Sequence, residues 1–462
     1  MTSGATQPWP IEVLSVGPAS AGAVAWRRSG KLYLSAIVKA TFSFAPSAVM
    51  TPTLPVPLCT AEHLNGEGPE GSLRETLDTV PELRSADVFF AGHACAPAWG
   101  PAPRVAVRLA VRAASGEMLI DKPLQVLGDR LLIPGRPPPA PTPFTRIPMC
   151  YERAYGGPDH GANPVGMGEL AELAGRRRLP NIVHLAKSPR PAVEPAGFAP
   201  LSFRWPVRRR MLRQTPRHVL ELPILEIPDD LNPSYFQAAP ADQQARLLQG
   251  DEWIVLEGLH PVHASLEMQL PSARGVARVY LPDGSSRPIA LVADMLFIDG
   301  DAEQCSITWR GSFPIPSEAD LPATRIAAGV SLPDWALTLP DRFPQPSIAV
   351  RTTELPVGAL PAPAGRQRTV ILETSQPPDP LLALAAAAAN GPVIDLNGTA
   401  VLDPIELPPP PPPPPPAGRQ HTMVFEAPAS PIQRPPPPGP PPLPVTPGPG
   451  RDREDQGRRG PR

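Results

Sequence analysis

The chain has 462 residues, with 42 Lys and Arg against 44 Asp and Glu and a formal net charge of −2, which excludes the basic surplus of a dedicated nucleic-acid binder. Its longest apolar run, LLALAAAAA at 381–389, falls well short of the roughly twenty residues a membrane-spanning helix needs. Of its 74 prolines, 23 lie among the 59 residues from Pro404 to the end, a density at which a segment cannot bury enough apolar surface to offset its ordering entropy.

A usual domain size of about 150 residues would allow two or three domains. The proline distribution reduces this to one large body at 1–345 and a disordered tail at 346–462. The opening MTSGATQPWP has neither a basic nor an apolar stretch, so no signal peptide is expected. Cys59, Cys95, Cys150 and Cys305 are scattered without short-range pairing. They read as reduced thiols of a soluble, cytoplasmic protein.

In chain order, KLYLSAIVKATFSF (31–44) alternates strictly, with Leu32, Leu34, Ala36, Val38, Ala40, Phe42 and Phe44 on one side. That period predicts a long, half-buried strand. ADVFFAGHA (86–94) and RVAVRLAVRA (104–113) repeat it, the second with Arg108 and Arg112 facing out. GVARVYLPDGSSRPIALVADMLFID (275–299) reads as two strands around Pro-Asp-Gly, and 294–311 as a further pair around Asp299-Gly300. Helical signal is thin. One helix is expected within 232–253, with Pro240 at its first position, Ala245, Leu247 and Leu248 inward and Gly250 as its stop; a second is expected at 379–392. The fold class is therefore mainly β (a β-rich α+β fold), with antiparallel sheets packed as a sandwich-like body and a few short helices.

The tail contains a repeat. GRQRTVILE (365–373) returns as GRQHTMVFE (418–426), and GTAVLD (398–403) shares its core. These copies are too short to bury one another and suit extended segments that add to an exposed sheet edge.

Sites of familiar chemistry are scarce. GGPDHGANPVGMG lacks the lysine of a phosphate-binding loop, and no serine occupies a G-x-S-x-G elbow. HPVH (260–263) reads as turn histidines because Pro261 opposes helical pairing. An enzyme could use Cys150 as nucleophile with His160 or Asp159, although nothing in the spacing demands it. FRWPVRRRMLRQTPRH (203–218) carries six arginines, Arg204 to Arg217, among aromatics. Such a cluster suits a protein partner's carboxylates, RNA, or an ordinary solvated loop.

PMCYERAYGGPDHGANPVGMG (148–168) is the densest stretch. Gly156-Gly157, Asn163-Pro164, Gly166 and Gly168 permit tight turns, and Glu152 and Arg153 need partners if buried. The expectation is a crossover loop pinned by charge and aromatic packing. YERAYGG followed by NPVGMG resembles the W/Y-E-R-A-[FY]-G-G…N-P-V-G-x-G signature of the domain-of-unknown-function family numbered 2169. VKATF (38–42), ADVFFAGHACAP (86–97), VLGDR (126–130), LPN (179–181), FQAAPADQQ…GDE (236–252) and ITWRG (307–311) follow in the family's order. The resemblance spans residues 20–312; Tyr151 stands where many members have tryptophan, and the tail lies outside the pattern. It implies a non-enzymatic adaptor or chaperone that holds a type VI secretion effector in the bacterial cytoplasm and loads it onto the spike, with no cofactor, metal or catalytic residue. Tyr151, Glu152, Arg153, Tyr155, Gly156, Gly157, Asn163, Pro164, Gly166, Arg208, Arg209, Arg210, Trp309 and Arg310 are the expected framework or partner-binding residues.

Overall fold

The architecture is built on one strand. Lys31–Ser43 runs through the middle of an eight-stranded sheet in the computed structural model. The structure describes residues 11–344, apart from 66–70, 134, 169–171, 174–175, 186–193 and 222, together with 368–369. These all lie in one compact unit, Met1–Pro392. The helix expected at 379–392, the repeats at 398–403 and 418–426 and the expected disordered tail, apart from Arg368–Thr369, lie outside the described residues. No described helix is long and apolar enough to cross a membrane.

The large sheet runs in the order Ile224–Ile227, Ser20–Arg28, Lys31–Ser43, Gln304–Ile315, Val292–Asp299, Ala86–Ala91, Gln244–Ala245, with Thr51–Pro52 paired beside Lys31–Ser43. Its central pairings are antiparallel; the pairs Ile224–Ile227 with Ser20–Arg28 and Val292–Asp299 with Ala86–Ala91 are parallel. A second, wholly antiparallel sheet contains Arg104–Arg112, Met118–Leu127, Ile182–His184, Trp253–Glu257 and Ser265–Gln269. A third joins Arg274–Tyr280, Ser286–Ile289 and Arg325–Ser331 to Glu12–Val16. Even-numbered side chains of the long strand (Leu34, Val38, Phe42) share one core with Leu109 and Leu124 of the second sheet and Ile326 and Val330 of the third. The mainly β, sheet-on-sheet expectation holds.

Two expectations need correction. The long strand is buried on both faces, not half-buried: Ser35, Ile37, Lys39 and Thr41 are as inaccessible as their apolar neighbours. The segment 232–253 is no helix. It holds two short 3-10 turns, Pro233–Tyr235 and Ala241–Gln243, and then Gln244–Ala245 pairs with Ala86–Ala91. Buried Asp87 draws it there, accepting from Gln237 Nε2 at 2.6 Å and from the backbone N–H groups of Ala238 and Ala239 at 2.7 and 3.1 Å. Leu248 N–H donates to Ala293 O at 3.0 Å, so backbone groups that a helix after Pro240 would use pair with neighbouring strands instead. The strands around Asp299-Gly300 and Pro-Asp-Gly form as expected, except that the chain changes sheets at 290–291, so 286–299 is two strands.

The polar face of the large sheet is covered by residues 51–83. Thr41 Oγ1 accepts from Val56 N–H at 3.1 Å, and Ser35 Oγ donates to Pro81 O at 2.7 Å. Lys39 Nζ donates to Glu75 at 2.8 Å and Asp78 at 2.9 Å. Burial alone would lower the Lys39 pKa, but Asp78 and Glu75 hold it above its ordinary value. Beside it, Arg310 pairs with Asp294 and donates to Asp78 O at 2.7 Å. An apolar patch extends the cover, with Trp26, Phe89 and Met295 of the sheet against Leu212, Leu231 and Tyr235. At the edge of the third sheet, Arg368–Thr369, inside the first tail repeat, pairs in parallel with Glu12–Val16, Leu14 opposite Arg368.

Lys39→Met should therefore destabilise the protein by about 3–5 kcal/mol, because it leaves buried Asp78 and half-buried Glu75 without their cation; urea unfolding measures this, and a loss under about 1 kcal/mol would sink the account. Asp87 gives a pH prediction. Burial, only partly offset by its hydrogen bonds, raises its pKa to about 6, above the unfolded value of about 3.9. The native state then binds the extra proton between these values, so this contribution to stability is largest below about pH 4 and is lost as pH rises through 6. Relative to Asp87→Asn, the natural protein should gain roughly 2 kcal/mol between pH 7.5 and 4.5. A flat or opposite difference in denaturant titrations would refute it.

Candidate functional site

Local geometry explains the 148–168 stretch first. Tyr151–Arg153 forms a single 3-10 turn, and Tyr155–Gly156 pairs in parallel with Met167–Gly168. Asn163 is buried between these arms. Its Nδ2 donates to Tyr151 O and Tyr155 O, both at 2.9 Å, and its carbonyl accepts from Gly157 N–H at 3.0 Å. Gly166 lies so close to Gly156 that a Cβ on it would stand 2.7 Å from Gly156 Cα, so the two glycines are needed for backbone-to-backbone packing. Tyr151 is buried edge-on to Trp205, ring centroids 5.3 Å apart. Glu152 reaches into the 51–83 cover and accepts from Ser72 N–H and Ser72 Oγ, both at 2.6 Å. Arg153 donates to Asp129 at 2.9 Å and to Asn181 at 3.2 Å. The stretch is held as a pinned crossover loop.

One of its residues, Pro164, also lines a groove. Pro164 and Gly71 face Trp205, Leu212 and the exposed arginines Arg204, Arg209 and Arg213 across about 780 Å³. The arginine segment is fixed from below. Arg208 is buried, donating to Tyr235 O through Nε and Nη2 at 3.2 and 2.6 Å and to Leu201 O at 2.7 Å. Glu62 stabilises the same turn by accepting from Ser202 Oγ at 2.9 Å and Phe203 N–H at 3.0 Å. Arg217 lies 4.0 Å from the Phe203 ring centroid and pairs with Glu221. Thr215 Oγ1, in the groove lining, is buried without a hydrogen-bond partner in this structure.

The expected residues thus divide. Arg209 and Arg210 are exposed. Arg208 belongs to the interior, as do Trp309 and Arg310, which are 3 and 2% exposed; these three are framework and cannot meet a partner directly. Cys150, His160 and Asp159 do not assemble: no hydrogen bond joins Cys150 to His160 among the described residues. Burial and the adjacent Glu152 push the Cys150 thiol up to about 12. His160 packs edge-on against Tyr155, and Asp159 is exposed. His260 Nδ1 accepts from Val262 and His263 N–H groups, as a turn histidine does.

One cluster escaped the sequence reading. Cys59, His63 and Glu75 bring Sγ, Nδ1 and a carboxylate oxygen within 4.8 Å of one another. Cys59 and His63 have a C-x3-H spacing that was the available signal, but they lie in a proline-rich stretch without periodicity, and Glu75 follows only twelve residues later. Burial, reinforced by Glu75 and Asp78, pushes the Cys59 thiol far up, and it donates to Ala61 O at 2.9 Å.

A family model described as "uncharacterized protein conserved in bacteria (DUF2169)" matches residues 29–310. No curated protein and no solved structure matches the chain. The chain belongs to that family.

Gly166→Ala should cost about 1–3 kcal/mol by overpacking, whereas Gly161→Ala, whose added Cβ would meet the flexible end of the Arg210 side chain at 3.3 Å and Pro206 Cβ at an ordinary 3.6 Å, should stay within about 0.5 kcal/mol. Equal losses in paired urea titrations would remove the packing explanation of the signature.

Proposed function

We propose that this member of the bacterial family is a non-enzymatic adaptor that holds a type VI secretion effector in the cytoplasm and presents it to the spike complex. One observation carries the reading: Pro164 of the signature loop lines the arginine groove. Its charged residues Glu152 and Arg153 are engaged internally, by Ser72, Asp129 and Asn181. What it offers outward is shape beside the cationic side chains of Arg204, Arg209 and Arg213. Such a groove, with Trp205 and Leu212 in its lining, suits an acidic segment bearing an apolar side chain. Supporting arginines on a turn anchored by Arg208 and Glu62 reduces the ordering cost of binding. The repeated motifs of the tail would raise the effective concentration of a second contact.

A second reading, an enzyme, is favoured by the Cys59–His63–Glu75 set rather than by Cys150, His160 and Asp159. RNA binding through Arg204 to Arg217 would use the same groove and would weaken steeply with salt.

Tagged full-length protein purified from its native cell should bring down an effector and a spike component, and Arg209→Glu with Arg213→Glu should reduce effector recovery at least tenfold while the melting temperature stays unchanged. Recovery of neither partner would overturn the proposal. Recovery insensitive to charge reversal would remove the groove as the effector site.

A further inference from the structure

We infer that Cys59, His63 and Glu75 form a binding site for a zinc-class divalent cation, a property separate from the groove. The donor spacing is the first argument. Cys59 Sγ lies 3.9 Å from His63 Nδ1, which lies 3.2 Å from Glu75 Oε2. Tetrahedral zinc with Zn–S near 2.3 Å and Zn–N and Zn–O near 2.0–2.1 Å requires S···N about 3.6 Å and N···O about 3.3 Å. Two of the three donor separations are thus within a few tenths of an ångström of those values, and the third, from Cys59 Sγ to the Glu75 carboxylate, is within 4.8 Å.

Outer contacts are already in place. Glu75 presents Oε2 to His63 while its Oε1 accepts from Lys39 Nζ at 2.8 Å. Cys59 is held by its backbone N–H, which donates to Asp78 Oδ2 at 2.7 Å. Asp78 is in turn fixed by Lys39 at 2.9 Å and by Thr308 Oγ1 at 3.0 Å. Such second contacts orient ligands and tune affinity. Charge is the next argument: Lys39 offsets only one of the two carboxylates of Glu75 and Asp78. Loss of the Cys59 thiol proton to solvent on metal binding would bring the cluster to −2, which one dication neutralises. The mixed sulfur, nitrogen and oxygen donors select zinc over the hard cations magnesium and calcium. His63 has a side chain 60% exposed, which gives the ion a way in. Three protein donors leave a fourth position for water, the pattern of a zinc site that can engage a further ligand.

Full-length protein freed of metal with a chelator and then titrated with zinc should take up a single equivalent with submicromolar affinity. Cobalt(II) in its place should give a thiolate-to-metal charge-transfer band in the near ultraviolet. Cys59→Ser should abolish that band, and His63→Ala should weaken zinc binding at least tenfold, whereas Cys95→Ser should change neither. If Cys59→Ser does not fold, His63→Ala carries the test, since its side chain lies largely in solvent. Absence of zinc binding, or binding insensitive to both Cys59→Ser and His63→Ala, would overturn the site without touching the groove proposal.

Discussion

The structure depends on neutralising buried charge on one face of the large sheet. Lys39 and Arg310 stand on adjacent strands, 1 and 2% exposed. Burying either cation alone would cost several kcal/mol, so each must have partners brought from elsewhere in the chain. Glu75 and Asp78 come from the 51–83 segment, and Asp294 comes from the neighbouring strand. That requirement makes the 51–83 segment part of the fold despite its scarcity of regular secondary structure. Asp87 plays the converse part, an anion whose partners are N–H groups of 237–239.

This layer accounts for family motifs that have no obvious chemistry. Lys39 of VKATF, Asp87 of ADVFF and Arg310 of ITWRG all belong to it. Gln237 and Gln243 of the FQAAPADQQ run serve it as well: Gln243 Nε2 donates to Val88 O and Phe198 O, both at 2.8 Å, and Gln237 donates to Asp87. Each motif supplies one end of a long-range polar contact, which explains why they are spread along the chain yet act together. The YERAYGG and NPVG pieces do the same for the crossover loop, through Glu152 to Ser72 and Asn163 to Tyr151 and Tyr155.

Strand positions were legible because alternation follows from geometry alone. What alternation could not reveal was whether a polar face meets water or more protein. Lys39 and Thr41 looked like solvent-facing residues of a half-buried strand, and only the distant Glu75 and Asp78 make them interior. The same limit misplaced the helix at 232–253: Pro240 and Gly250 are placed as helix signals, but the distant strands 86–91 and 292–299 pair with Gln244, Ala245 and Leu248. Within the arginine run, sequence could not separate Arg208, which is turned inward to carbonyl groups, from Arg209 beside it. Only the turn starting at Pro206 distinguishes them. Cys59 and His63 were overlooked because their third partner arrives through the fold of the covering segment rather than through spacing.

That covering segment also brings the two candidate surfaces together. Between Gly71 and Glu75, successive residues have different anchors: Gly71 lines the groove, Ser72 holds Glu152, Leu73 is buried, Arg74 bonds both oxygens of Asp299 at 2.8 Å, and Glu75 holds Lys39 and His63. Four peptide links thus join a groove wall to a carboxylate of the Cys59 cluster, and every link is tied to the sheet or to the signature loop. A ligand that draws Glu75 toward His63 acts on the same short strand that positions Gly71. Were the two proposed sites coupled through this strand, the coupling would be reciprocal: whatever a groove occupant gained from one placement of Gly71 would return as a change in affinity at Glu75. Its size would be set by how rigidly Leu73 and Arg74 hold the strand between, and Arg74, whose Nη2 reaches both oxygens of Asp299 at the end of an inner strand, ties it to the large sheet.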